Sequence, residues 1–194
     1  MEVRGAVSLN LFSYCSNVFR IKLKTMTQFC PSCAEPICPP SGKSQDLLII
    51  AEFPGRLEME RQMPFATHAM YVTAGKVLRK ELERLGVSLS QFRVINLWLH
   101  EPNKNENCFK AGFDNALEEA KGKKAVLLVG SDVVETFTEY KVSDVSGLQV
   151  DSSVLSAPII YAMVNPALAL HRAVGEVRFG IEKFINRLEQ EGLI

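Results

Sequence analysis

Asp46-Leu47-Leu48-Ile49-Ile50-Ala51-Glu52-Phe53-Pro54-Gly55 sets a continuous apolar run directly against a carboxylate and a Pro-Gly turn. A strand with one wet face alternates apolar and polar residues. An uninterrupted run such as this belongs to a strand covered on both faces, as in the sheet of an α/β protein. Such sheets place ligands beyond the carboxyl ends of their strands, where Glu52 sits. The segment alone leaves two readings of Glu52: an acid delivered to a pocket, or a solvated side chain in a strand-ending turn.

The pattern repeats downstream. Residues 53–72 read as a loop, and residues 74–85 carry apolar positions at helical spacing up to Gly86, a natural stop. A second strand is expected over 92–99, a polar loop over 101–107 and a helix over 109–121. A third buried strand covers 125–130, and Ser131 can cap a helix through 139. The fourth strand, 156–164, runs into Asn165-Pro166, and an amphipathic helix covers 175–191. Strands alternating with helices of this length imply right-handed crossovers. The expected fold is α/β: a three-layer αβα sandwich around a central, mostly parallel four-stranded sheet. Residues 1–28 are acid-poor, with Arg4, Arg20, Lys22 and Lys24 against Glu2, and read as a peripheral arm before a domain over 29–194.

A chain of 194 residues, 47% hydrophobic, is long enough for one well-buried domain and short for two. Its 22 basic and 22 acidic residues cancel, so no global field draws in nucleic acid, and such a partner has to use a local patch. No apolar stretch approaches a bilayer span, and the N-terminus lacks a basic start, apolar core and cleavage site. These features predict a soluble intracellular protein with no membrane partner, working in the cytoplasm, a nucleoid or a viral replication site. Of five cysteines, three crowd into Cys30-Pro31-Ser32-Cys33-Ala34-Glu35-Pro36-Ile37-Cys38. In an intracellular chain, clustered cysteines point to metal before disulfides, and the prolines suit a rigid loop.

Taken in order, these segments resemble the uracil-DNA glycosylase superfamily, in particular its iron–sulfur-containing branch and cross-linking relatives, over residues 30–190. The family's first motif, Gly-Glu-Ala-Pro-Gly with an acidic residue three places on, meets Ala51-Glu52-Phe53-Pro54-Gly55 and Glu58. Its Arg-Pro-Phe and its helix-opening Ala-Gly meet Met63-Pro64-Phe65 and Ala74-Gly75. The longer spacing here makes the loop holding His68 and Tyr71 an insertion. Asn-Val-Val-Lys-Cys-Arg-Pro meets Asn96-Leu97-Trp98-Leu99-His100-Glu101-Pro102, and Gly130 meets the glycine after the third strand. The last motif, His-Pro-Ser with a leucine-rich loop and an Arg, meets Asn165-Pro166-Ala167-Leu168-Ala169-Leu170-His171-Arg172.

The resemblance implies a uracil-DNA glycosylase that flips uracil out of DNA and hydrolyses the N-glycosidic bond in base excision repair. Phe65 would stack on the base, Asn96 would read it, and Phe53 would line its pocket. Glu52 would activate water and offset the charge of an oxocarbenium-like sugar, and Asn165, where most of the family has histidine, would donate to the uracil oxygen. Leu168 and Leu170 would wedge into the duplex, and Arg172 would meet phosphate. No covalent intermediate is expected, because the 101–107 loop has no room for the sugar-trapping histidine of the cross-linking relatives. The family's cluster ligands fall on Cys30, Cys33, His100 and Cys108. Resemblance favours a 4Fe–4S iron–sulfur cluster, the same donors also suit zinc, and Cys38 is a spare thiolate that could replace His100.

Ala51, Phe53, Asn165 and Ala167 depart from the family pattern. They support an alternative: a glycosylase-fold protein without catalysis, serving as a DNA-binding or architectural subunit among other proteins of a replication, repair or transcription assembly. A third reading, an unrelated α/β metal-binding domain, requires the ordered motifs to be coincidental.

Overall fold

A computed structural model describes residues 27–171 and 174–194. Four strands, β1 (Leu47–Ala51), β2 (Arg93–Asn96), β3 (Ala125–Val129) and β4 (Ile159–Met163), form one sheet. Their order is β2-β1-β3-β4 and every pairing is parallel. Helices fill the crossovers: α1 (Arg56–Arg61), α2 (Ala74–Arg84), α3 (Glu106–Ala120), α4 (Ser131–Phe137), α5 (Val142–Val145) and α6 (Val174–Gln190). The expected three-layer α/β fold is therefore present, with a sheet parallel throughout.

β1 shows why its run has no polar residue. Leu47, Ile49 and Ala51 face a core shared with α2 and α6, through Leu78, Leu82, Val177, Ile181 and Phe184. Leu48 and Ile50 face a second core shared with α3 and α4, through Ala116, Val133, Val134 and Phe137. The twofold side-chain period thus feeds both layers from one strand. Leu48, Ile49 and Ile50 are fully buried, and each such side chain contributes about 1.5–3 kcal/mol of transfer free energy. Close approach of α3 to the sheet depends on Gly112, where a Cβ would stand 1.8 Å from the Leu97 carbonyl oxygen.

α2 and α6 are also tied by charge. The buried Glu81 carboxylate accepts from Arg178 Nε and Arg84 Nε, each at 3.0 Å, and Arg84 reaches on to Glu182. The Arg178 hydrogen bond, more than any other influence, holds the Glu81 carboxyl below its usual range.

Several local expectations are corrected. The stretch read as a loop over 53–72 contains α1, which buries no side chain and so carries no apolar period. The second strand stops at Asn96 rather than 99, because Leu97 turns into the α3 core and Leu99 joins Cys30, Ile37 and Cys108 in a separate small cluster. α3 starts at Glu106, with the Asn105 side chain accepting from the Asn107 N–H at 3.0 Å as its cap. The expected arm lies outside the described residues except for 27 and 28. No described helix is long and apolar enough to cross a membrane.

Candidate active site and metal centre

Parallel pairing brings the carboxyl ends of all four strands to one edge. Ala51 pairs with Asn96 in register, so Glu52 leaves β1 beside the last residue of β2. The Glu52 backbone oxygen accepts from the Trp98 N–H at 2.8 Å, which holds the two strand exits together. Glu52 itself is half-buried. Its Oε2 accepts from Asn165 Nδ2 at 2.6 Å and its Oε1 from the Asp132 backbone N–H at 3.2 Å. Gly130, at φ 101°, makes the room: a Cβ there would lie 2.2 Å from the Glu52 carboxyl carbon. Glycine is thus required at this position both for its backbone and for its missing side chain.

The Asn165 amide is used at both ends, since Oδ1 accepts from the Ala167 N–H at 2.9 Å while Nδ2 donates to Glu52. One Nδ2 hydrogen remains for another acceptor. Asn96 is 3% exposed, and its Nδ2 has no hydrogen-bond partner among the described residues. A buried donor left unpaired costs about 1–3 kcal/mol, a cost that an incoming acceptor would remove.

Phe65 is buried in the core shared with α2 and α6 and adopts φ 51°, a left-handed conformation rare for an aromatic residue. Two contacts hold it there. Its N–H donates to Glu58 Oε1, and its carbonyl packs against Gly75, where a Cβ would meet the Phe65 oxygen at 2.1 Å. Glu58 also accepts from the Gly55 N–H at 2.6 Å, closing the turn after β1. Burial keeps the Glu58 carboxyl above the ordinary carboxylate range, against the pull of those two N–H donors. Phe53 is 43% exposed, so its ring is not packed into the core. Leu168 and Leu170 are 42% and 44% exposed on a 3-10 turn, Pro166–His171, while Ala169 between them packs inward. Arg172 lies outside the described residues.

The four expected metal donors converge. Cys30, Cys33, His100 and Cys108 place their ligand atoms within 4.8 Å of one another, a group that could hold a metal ion. His100 is 2% exposed, its Nδ1 is 2.8 Å from the Glu101 carbonyl, and its Nε2 is 3.3 Å from Cys33 Sγ. Donation from Nδ1–H to that carbonyl leaves the Nε2 lone pair facing the thiolates, as a ligating histidine requires. Burial pushes the Cys30 thiol up, but hydrogen bonds from the Ser32 backbone, His100 and Cys33 outweigh it and bring it to about 7. Burial, helped by the neighbouring Cys33, lifts Cys108 to about 11. Cys38 stands apart. Its sulfur is 3.8 Å from the Glu58 carbonyl oxygen, and burial with the nearby Glu58 charge pushes it up to about 12. His100, not Cys38, completes the group.

Asn165 as the direct partner of Glu52, and the backbone N–H of Asp132 as its second donor, were not legible in the sequence. No curated protein matches the chain. A profile of the Uracil DNA glycosylase superfamily matches residues 39–188. That span takes in every strand exit just described, and Cys30 and Cys33 precede it. With most of its length matched, the chain belongs to the uracil DNA glycosylase superfamily.

Proposed function

We propose that the protein is a uracil-DNA glycosylase, and the observation that carries the proposal is that the half-buried Glu52 carboxylate and Asn96, whose buried Nδ2 has no partner among the described residues, stand at the neighbouring carboxyl ends of β1 and β2. The target nucleotide is flipped, its base lies against Phe65, and Asn96 Nδ2 donates to a base carbonyl. As the bond from C1′ to the base nitrogen breaks, its electron pair leaves with uracil. The Glu52 carboxylate offsets the positive charge left on the sugar. Water held by Glu52 then adds to C1′ and gives its proton to the carboxylate. Each Glu52 oxygen already accepts one N–H, and a second lone pair on each remains for that water. Asn165 orients Glu52 and has one hydrogen left for the departing base. Phe53 lines the mouth of the pocket, and Leu168 and Leu170, exposed on the turn after β4, fill the gap in the duplex.

The engagement of both Glu52 oxygens also favours a second reading, a DNA-binding or architectural subunit that no longer cuts. Alkali-treated, uracil-containing single- and double-stranded DNA separates the two. Strand breaks dependent on Glu52 support the enzyme. Salt-sensitive binding without breaks supports the subunit.

The donor group is proposed to hold a metal centre, either a 4Fe–4S cluster or zinc. A single tetrahedral ion with bonds of about 2.3 Å to sulfur and 2.0–2.1 Å to nitrogen keeps its donors within roughly 4 Å of one another, close to the spacing of this group. A 4Fe–4S cluster, which the family resemblance favours, takes donors of the same types. Either group, when bound, would supply structure and no chemistry to the base, tying the loop of Cys30 and Cys33 to the segment after β2. Brown protein containing iron and sulfide identifies the cluster, colourless protein with one zinc per chain identifies zinc, and protein purified without either metal contradicts the proposal.

A further inference from the structure

An open cleft of about 770 Å³ lies beyond Phe65, lined by Arg61, Met63, His68, Lys76, Arg79 and Lys80, with Glu83 at one end. Lys76, Arg79 and Lys80 recur at helical spacing on the outer face of α2, whose inner face buries Gly75, Leu78 and Leu82. Arg61 faces them from the last turn of α1. Most described arginines are committed to carboxylates: Arg56, Arg84, Arg93, Arg178 and Arg187 each sit in an ion pair. Among the described residues Arg61 and Arg79 have no such partner, and both line this cleft. In a chain with no net charge, this is a local concentration of positive charge.

The inserted loop forms the rim. His68 and Tyr71 stack with ring centroids 3.8 Å apart, and Met70, Tyr71 and Val72 are 87%, 53% and 56% exposed. The loop is nonetheless anchored: Thr73 Oγ1 donates to the Ala66 carbonyl at 3.2 Å and accepts from the Lys76 N–H at 3.1 Å. Ala66, which lines the cleft, directly follows the base-stacking Phe65. Cations beside an exposed aromatic pair suit a strand whose phosphates take the charge and whose unpaired bases offer their faces. A paired duplex keeps those faces stacked inside.

We propose that this cleft is a second nucleic-acid subsite, which grips the phosphodiester backbone of single-stranded DNA flanking the target nucleotide while the His68–Tyr71 pair stacks on a neighbouring base. The inference rests on the glycosylase reading and extends it to a preference for single-stranded substrate.

The test is fluorescence anisotropy of uracil-free single-stranded and duplex oligonucleotides across a salt series, with thermal melts to show that each variant folds. The Arg61→Ala/Arg79→Ala double variant is expected to flatten the salt slope on single strands by about 1.4, from about 0.7 per lost phosphate contact. Tyr71→Ala is expected to weaken single-strand binding roughly ten-fold with the slope unchanged, the effect of one lost stack. Lys141→Ala, at the N-cap of α5 and outside the cleft lining, should change neither. Equal losses from Lys141→Ala, equal losses on duplex, or displacement by an acidic peptide as readily as by DNA would overturn the subsite. If the double variant binds single strands like the wild type while uracil excision persists, the subsite fails and the glycosylase reading stands. If the wild type neither binds nor cuts any DNA, the glycosylase reading itself falls.

Discussion

Asn165 Nδ2 donates to Glu52 Oε2 at 2.6 Å, joining the exit of β4 to the exit of β1 across 113 residues of chain. This hydrogen bond fixes where the carboxylate points. With the Asp132 N–H on the other oxygen, it leaves the carboxylate few orientations to explore before the reaction begins.

Removing the bond should therefore cost rate before it costs folding. Asn165→Ala is expected to lower kcat about 10–150-fold, the equivalent of one charge-assisted hydrogen bond of roughly 1.5–3 kcal/mol, with the melting temperature nearly unchanged. Asn165→Asp places a second carboxylate against Glu52, and like charges at that distance force one of the two to keep its proton. Its activity should be lowest on the alkaline side, where both carboxylates are ionised and repel, and should recover as the pH falls and one of them takes up the proton it can donate to the other, which a pH–rate profile reads directly.

Asn96 is expected to trade stability for recognition. Asn96→Leu removes a buried, unpartnered donor, so thermal stability should hold or rise by up to about 1–3 kcal/mol, while uracil excision falls. A variant that lost stability and kept excision would show the amide to be structural.

The metal group discriminates among cysteines. Cys33→Ser and Cys108→Ser should release the metal and lower the melting temperature by about 10 °C, the shift for a loss of a few kcal/mol in a domain of this size. Cys38→Ser should keep it, because Cys38 lies against the Glu58 carbonyl and outside the donor group. Trp98, the single tryptophan, packs against the same small core as Cys30 and Cys108, so chelation should change its fluorescence. Metal content and emission spectra of the three variants check this.

Acid should loosen the joint between α2 and α6. Glu81 titrates below its usual range when folded, so its contribution is complete above the unfolded carboxylate range and is lost as pH falls through the depressed folded value. Arg178→Met should lower stability at neutral pH, with Arg84 still paired to Glu81, and flatten the acid side of the stability curve. Urea titrations at neutral and acid pH measure both.

The strands were legible because each is a run buried on both faces, a signal that needs no partner to interpret. α1 was not, because its helix is held by Glu58 and the Gly55 turn rather than by an apolar face. The residues at the strand ends could be named from their motifs, and the choice of His100 over Cys38 could not, since both are possible ligands by type and only the fold turns one toward Cys33 and the other toward Glu58. The α2 cations Lys76, Arg79 and Lys80 have one-face spacing that the sequence alone leaves as an ordinary solvated helix face. Their meaning depends on Arg61, which the loop brings opposite them.

The most direct test of the central claim is release of free uracil from uracil-containing DNA by the wild type and by Glu52→Gln under single-turnover conditions. Measurable release by the wild type is expected, with a fall of about 10²–10³-fold in the variant, the cost of losing one electrostatic stabiliser, and DNA affinity retained. DNA that binds and stays uncut at stoichiometric wild-type protein, or equal release by both proteins, would contradict it.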